Sequence, residues 1–171
     1  MDQGKLNVIA RPALPADLSR VSDIFGWYTL NSVATFEQAP RSEADWARLA
    51  SELADLGLPF LVAEADGAIA GYAYAQPWRR KPAYRATVED SIFIEPGLTG
   101  RGIGRLLLTE LLTACAAVGA RQVVAVIADS GAEPSVALHE SCGFTHAGRL
   151  ADVGYKHGQW IGTLLMQCAI G

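Results

Sequence analysis

Residues 95–108 read EPGLTGRGIGRLLL, with glycines at 97, 100, 102 and 104 running directly into leucines. Glycine is costly to order, so such a cluster at the mouth of a helix implies that something approaches the backbone closely. The first four N–H groups of a helix lack internal partners and carry the positive end of its dipole. A glycine turn feeding that end is an anion site, and phosphate is its usual guest. The segment in front of it, TVEDSIFIE at 87–95, alternates as a strand does. A strand, a glycine turn and a committed helix, in that order, point to an α/β chain with one sheet and helices on both faces.

Three phosphate motifs compete for this turn. A nucleotide P-loop needs G-x-x-x-x-G-K-[ST]; Gly97 and Gly102 have the spacing, but Ile103 stands where the lysine belongs. A dinucleotide fingerprint needs G-x-G-x-x-G or A; Gly102 and Gly104 are followed by Leu107, and no acidic ribose ligand is well placed after the next strand. The third is R/Q-x-x-G-x-G/A opening a helix directly after a strand, and here Gly102 and Gly104 supply its glycines. A mere glycine-rich turn is the plain alternative.

The remaining segments fit one domain over 1–171, long enough to bury a core without metals or disulfides. Residues 6–11 read as a first strand stopped by Pro12, and a helix opens at Pro15 or Ala16 with Leu18, Val21, Ile24 and Phe25 at helical spacing. A second helix begins after Ser42, an N-cap followed by Glu43 and Asp45, and ends near Gly57. Two strands flank the turn Asp66-Gly67, the second with Tyr72 and Tyr74 on one face and Ala73 and Ala75 on the other. In 87–95, Val88, Ile92 and Ile94 share a face opposite Glu89, Ser91 and Phe93, so Asp90 on the apolar face demands a bulge or a partner. The helix after the glycines shows a polar stripe of Arg105, Thr109 and Thr113 and ends at Gly119. RQVVAVIAD reads as a strand buried on both faces, a short helix runs from Pro134 to Gly143, and two strands finish the chain, one from Phe144 and one from Trp160 to Ala169.

Composition narrows the function. A formal net charge of −4 argues against a nucleic-acid partner. Cys115, Cys142 and Cys168 have no C-x-x-C spacing and fit reduced thiols. The opening MDQGKLNVIARP has no apolar signal region, and no apolar run reaches membrane-spanning length, so the expectation is a cytoplasmic protein without a membrane partner. His139, His146 and His157 lack metal-ligand spacing, and no G-x-S-x-G is present.

The glycine turn resembles that of the GNAT superfamily of N-acetyltransferases, and the likeness extends along nearly the whole chain. TFEQAP (35–40), GYAYAQPWRRKPAYRATVEDSIFI (71–94), SVALHESCGF (135–144) and VGYKHGQW (153–160) resemble the phosphinothricin acetyltransferase group, which acetylates small amino acids such as phosphinothricin, methionine sulfone and methionine sulfoximine. The resemblance implies a mostly antiparallel mixed sheet flanked by helices, acetyl-CoA as acetyl donor without a metal, a small anionic amino acid as acceptor, and a homodimer. It implies that Thr99, Gly100, Arg101, Gly102, Ile103, Gly104 and Arg105 hold the pyrophosphate. It further implies that Ile92, Phe93 and Ile94 meet the pantetheine arm, with Ser135 and His139 also on the cofactor side. A GNAT protein acting on a peptide terminus or another amine, or a non-catalytic acyl-CoA-binding module, remains the alternative. Three positions depart from the group: Thr99 replaces Arg or Gln, Ala132 replaces an asparagine three residues before the helix serine, and Gly162 replaces the aspartate of W-[LI]-D.

Acetyl transfer to an amine needs a neutral amine, a polarised thioester carbonyl and a proton for the leaving thiolate. Glu89 shares a face with Ser91 and Phe93 and suits the general base, acting through water, because a free carboxylate at about pKa 4.3 is a poor match for an ammonium group. Its plain reading is an ion pair with a nearby arginine. His139, four residues after Ser135, stands where many GNAT proteins present a tyrosine acid; its ordinary pKa of about 6.5 suits proton delivery to a thiolate, and packing is its plain reading. A covalent route through Cys142 is conceivable and weak. The segment 78–85 holds Trp78, Arg79, Arg80, Lys81, Tyr84 and Arg85, a cluster suited to an acidic substrate beside Glu89, Asp90 and Ser91, with a solvated surface as its plain reading.

Overall fold

The computed structural model describes residues 6–171. Its strands are β1 (Val8–Pro12), β2 (Phe60–Ala65), β3 (Ala68–Pro77), β4 (Thr87–Ile94), β5 (Gln122–Ala128), β6 (Thr145–Lys156) and β7 (Gln159–Ala169). Its helices are α1 (Leu18–Asn31), α2 (Glu43–Asp55), α3 (Ile103–Ala117) and α4 (Glu133–Ser141). The strands form one seven-stranded sheet in the order β1-β2-β3-β4-β5-β7-β6.

Local chemistry explains most element ends. Ser42 caps α2 by accepting the Asp45 N–H at 3.1 Å, while the Asp45 carboxylate accepts the Ser42 N–H at 3.0 Å. Asp66 and Gly67 both have positive φ, 49° and 85°, as a tight hairpin turn with right-handed strand twist requires. Pro12 does not stop β1 but ends it inside the ladder, opposite Leu61. An edge strand tolerates the missing N–H because no further strand asks for it.

The two faces of the sheet are built from different residue sizes. Tyr72 and Tyr74 of β3 pack against Val21, Ile24 and Phe25 of α1 and Trp46 of α2. On the other face, Ala73 and Ala75 lie in a cluster with Ile103, Leu107, Leu108 and Leu111 of α3. Small side chains on that face let a helix lie close to the strands.

One pairing in the sheet is incomplete. β4 and β5, the parallel pair, match only at Thr87–Gln122, Val88–Val123 and Glu89–Val124. Beyond Glu89, β4 continues beside β3 as far as Ile94, and β5 continues beside β7 as far as Ala128. The sheet therefore splits after Glu89. This alters the reading of β5 as buried on both faces: Val126 is 38 % exposed, because its neighbour strand has left.

Candidate active site

A cavity of about 1130 Å³ occupies the split, lined by Ser91, Ile92, Phe93 and Ile94 of β4 and by Ala125, Val126, Ile127 and Ala128 of β5. Losing the ladder leaves main-chain groups of β4 open to it. The Glu95 N–H donates to Ala70 on the β3 side, so by alternation the main-chain groups of Ile92 and Ile94 face the split. The Ile94 carbonyl is reached there by the Tyr28 hydroxyl, which donates to it at 2.7 Å.

The glycine turn closes one end. Thr99, Gly100, Gly102, Gly104 and Arg105 line the cavity. Gly100 and Gly102 have φ of 74° and 83°, and a Cβ on either would meet nothing within 4 Å, so the room above them is open. Gly102 caps α3 with no side-chain hydrogen bond, which leaves the first-turn amides free. Gly104 is needed for a different reason: a Cβ there would lie 3.1 Å from Leu138 of α4. Ile103 is buried in the core and Arg101 points into solvent, so neither side chain lines the cavity; both contribute to the turn through backbone alone.

Because the split passes through the sheet, side chains from both of its faces reach one space. Glu89, Ser91 and Phe93 belong to the α1–α2 face, paired across the ladder with Gln76, Tyr74 and Tyr72. Glu89 is half-buried, and burial followed by the neighbouring Asp90 charge pushes its carboxyl up, against the opposing pull of Gln76 and Arg79. That is the direction a base for an amine needs.

Asp90 points to the opposite face and finds the partner its apolar surroundings demand, with no bulge in β4. Its Oδ2 lies 3.0 Å from Nε2 of His139, and both residues are buried, His139 at 2 % exposure. The other ring nitrogen, Nδ1, donates to the Ser135 carbonyl at 2.7 Å. Burial pulls the His139 ring down, while the Asp90 carboxylate and the Ser135 carbonyl raise it, and the raising effects prevail. The second oxygen of Asp90 is buried and has no hydrogen-bond partner among the described residues. Ser135 and His139 line the cavity, so α4 forms part of the wall, and its N-cap is Ala132, which supplies no side-chain cap.

The basic segment is not brought into the cavity. Arg79, Arg80, Lys81, Tyr84 and Arg85 are exposed on the turn between β3 and β4, and Trp78, half-buried, is stacked beneath the Arg79 guanidinium at 4.8 Å. The turn carries them past the end of the sheet, and none of the six lines the cavity. Among the described residues, the arginines that do line it are Arg105 in the first turn of α3 and Arg41 in the loop before α2. Arg41, Tyr28, Tyr74 and Phe36 line the cavity too, although the sequence marks none of them as a site residue. The segment 35–40 resembled its family counterpart, which was a usable signal for Phe36, whereas nothing in the sequence places Arg41 opposite β3.

Gly162 also receives its explanation. A Cβ there would lie 2.4 Å from Oδ2 of Asp129 and 2.6 Å from the Leu150 carbonyl. Asp129, just past β5, accepts the Gly162 N–H at 3.0 Å and the Arg149 guanidinium at 2.6 Å. A carboxylate from position 129 thus fills the space that a side chain at 162 would need.

The chain is similar to proteins of one known family. Residues 21–144 match the model of the acetyltransferase (GNAT) family. A phosphinothricin N-acetyltransferase of Alcaligenes faecalis is 43 % identical over 151 residues, covering 88 % of this chain and 77 % of the relative. An L-methionine sulfoximine/L-methionine sulfone acetyltransferase of Salmonella typhimurium is 35 % identical, covering 89 % of this chain and 88 % of the relative. Among solved structures, a GNAT superfamily phosphinothricin acetyltransferase from Sinorhizobium meliloti in complex with acetyl-CoA superposes with a TM-score of 0.92 at 43 % identity, covering 96 % of this chain and 89 % of that one.

Proposed function

The chain belongs to the GNAT family of acetyltransferases, and from that premise we propose that it moves the acetyl group of acetyl-CoA onto the amino group of a small anionic amino acid of the phosphinothricin or methionine sulfone/sulfoximine type. The observation that carries this reading is the through-sheet cavity, which has an amide-rich glycine turn at one end and a half-buried Glu89 on the opposite face. Gly100, Gly102 and the first-turn amides of α3 suit a pyrophosphate, with Arg105 adding charge. The open main-chain groups of Ile92 and Ile94 suit the amide-bearing pantetheine arm. Acetyl-CoA supplies the activated acetyl thioester.

In this reading Glu89 takes a proton from the acceptor ammonium group through water, leaving the lone pair to attack the thioester carbonyl. A β4 main-chain N–H facing the split stabilises the developing oxyanion, typically a large catalytic contribution. His139, which lines the cavity, returns a proton to the departing sulfur, its Nε2–H leaving the hydrogen bond to Asp90 as it does so. The transfer is direct, with acceptor and donor bound together on the two sides of the sheet.

The whole chain acts as one domain, in the cytoplasm where such a donor is held. It works as a homodimer, for which the edge hairpin β6–β7 offers Leu150, Val153, Tyr155 and Trp160, all more than half or nearly half exposed. Sedimentation of the purified protein at twice the chain mass supports that assembly, and a monomer overturns it. Thiol release from acetyl-CoA, measured with phosphinothricin, methionine sulfone, polyamines and a peptide as acceptors, tests the function. Turnover confined to the first two is expected; turnover on the peptide or polyamine alone overturns the substrate class, and binding without turnover points to a non-catalytic module.

A further inference from the structure

The basic segment does not line the cavity, although Arg79 is near enough to Glu89 to pull its carboxyl down, so an acidic group held inside needs a cation from the lining. Arg105 sits at the glycine turn, and His139 is closed onto Asp90 at 3.0 Å. Arg41 remains, and it is held ready. Ser22 of α1 donates to its carbonyl at 2.7 Å, and its guanidinium carbon lies 5.2 Å from the ring centres of both Phe25 and Trp46. Of its five N–H groups, one donates to Glu37 at 2.9 Å, and Tyr74 stands beside the head. A guanidinium stacked in this way loses little freedom on taking a further anion.

Its position sets a length. Tyr74, beside Arg41, and Gln76, opposite Glu89, lie on the same face of β3 two residues apart, roughly 7 Å along the strand. Resting on the proposed function, with the acceptor amine at Glu89, we propose that Arg41 binds the acceptor's distal acidic group and makes this site selective for glutamate-like amino acids with an acid at the end of the side chain. Glu37 is the built-in competitor for that guanidinium, half-exposed and free to give way.

Phosphinothricin and methionine sulfone test this directly, since the first ends in a phosphinate and the second in a neutral sulfone on a chain of similar length. Arg41→Gln is expected to raise KM for phosphinothricin at least tenfold more than for methionine sulfone, with acetyl-CoA affinity unchanged. Arg41→Lys, which keeps a charge over the rings, is expected to recover part of the loss and guards against misfolding. Glu37→Gln, on an exposed side chain, is expected to lower KM for phosphinothricin alone. Wild-type turnover of both compounds with equal Arg41→Gln losses, or none, overturns the Arg41 assignment and leaves the proposed function standing. Wild-type protein that acetylates neither compound overturns the function and this inference with it.

Discussion

Glu89 and Asp90 are adjacent in sequence and do opposite things because a strand sends successive side chains to opposite faces. Glu89 enters a half-buried position that raises its pKa, and the base role proposed for it needs the ionised form. The kcat/KM profile should therefore fall as pH drops through a value above the ordinary carboxylate range. Glu89→Gln, which keeps shape but not basicity, should lower kcat by roughly 10²–10⁴-fold with acetyl-CoA affinity preserved in calorimetry. Rates near wild type would falsify its role as base. Asp90 instead makes a buried pair with His139, whose pKa is raised on folding. A base with a raised folded pKa contributes stability below its unfolded value of about 6.5, and that contribution is lost as pH climbs through the higher folded value. Urea midpoints measured from pH 5.5 to 9 should show this loss in the wild type, and Asp90→Asn should flatten it.

At the scale of elements, the glycine turn and the start of α3 form one device. Gly102 has φ of 83° with open space at its Cβ position. Gly102→Val should fold at a cost of about 1–3 kcal/mol in backbone strain while raising the acetyl-CoA dissociation constant at least about tenfold. Unchanged affinity in calorimetry would remove the turn from the cofactor site. β7 gives a contrasting glycine: Gly162→Ala places a methyl against both Asp129 and the Leu150 carbonyl, so the loss is of folding rather than binding. A fall of about 1–3 kcal/mol in unfolding free energy is expected, and removing the Asp129 side chain should relieve only part of it because the carbonyl remains.

Across the whole molecule, a cofactor that lies in the split joins the two halves of the sheet, so its binding should register as global stability. At a hundred times its dissociation constant, acetyl-CoA should raise the unfolding free energy by about 2.7 kcal/mol, read as an upward shift of the thermal transition. A melt indifferent to acetyl-CoA would contradict a site at this location. What could be read from sequence was whatever depends on near neighbours. The Ser42 cap, the Asp66-Gly67 turn, the tyrosine and alanine faces of β3 and the glycine entry to α3 all follow from periodicity and backbone preference within a few residues. Asp90 was legible as a residue in need of a partner, because a carboxylate on an apolar face is too costly to leave alone. Its partner lies 49 positions away, and only the packing of α4 beside the split named it. The same limit explains the arginines: the run at 78–85 is conspicuous in sequence, but a turn carries it past the sheet, while the solitary Arg41 is folded over Phe25 and Trp46 into the cavity. The split itself was invisible as well, since an apolar run such as β5 shows that it is buried but not where its neighbour departs. Local chemistry determines the elements; where strands separate, and which distant charges then share a space, is decided by the tertiary structure alone.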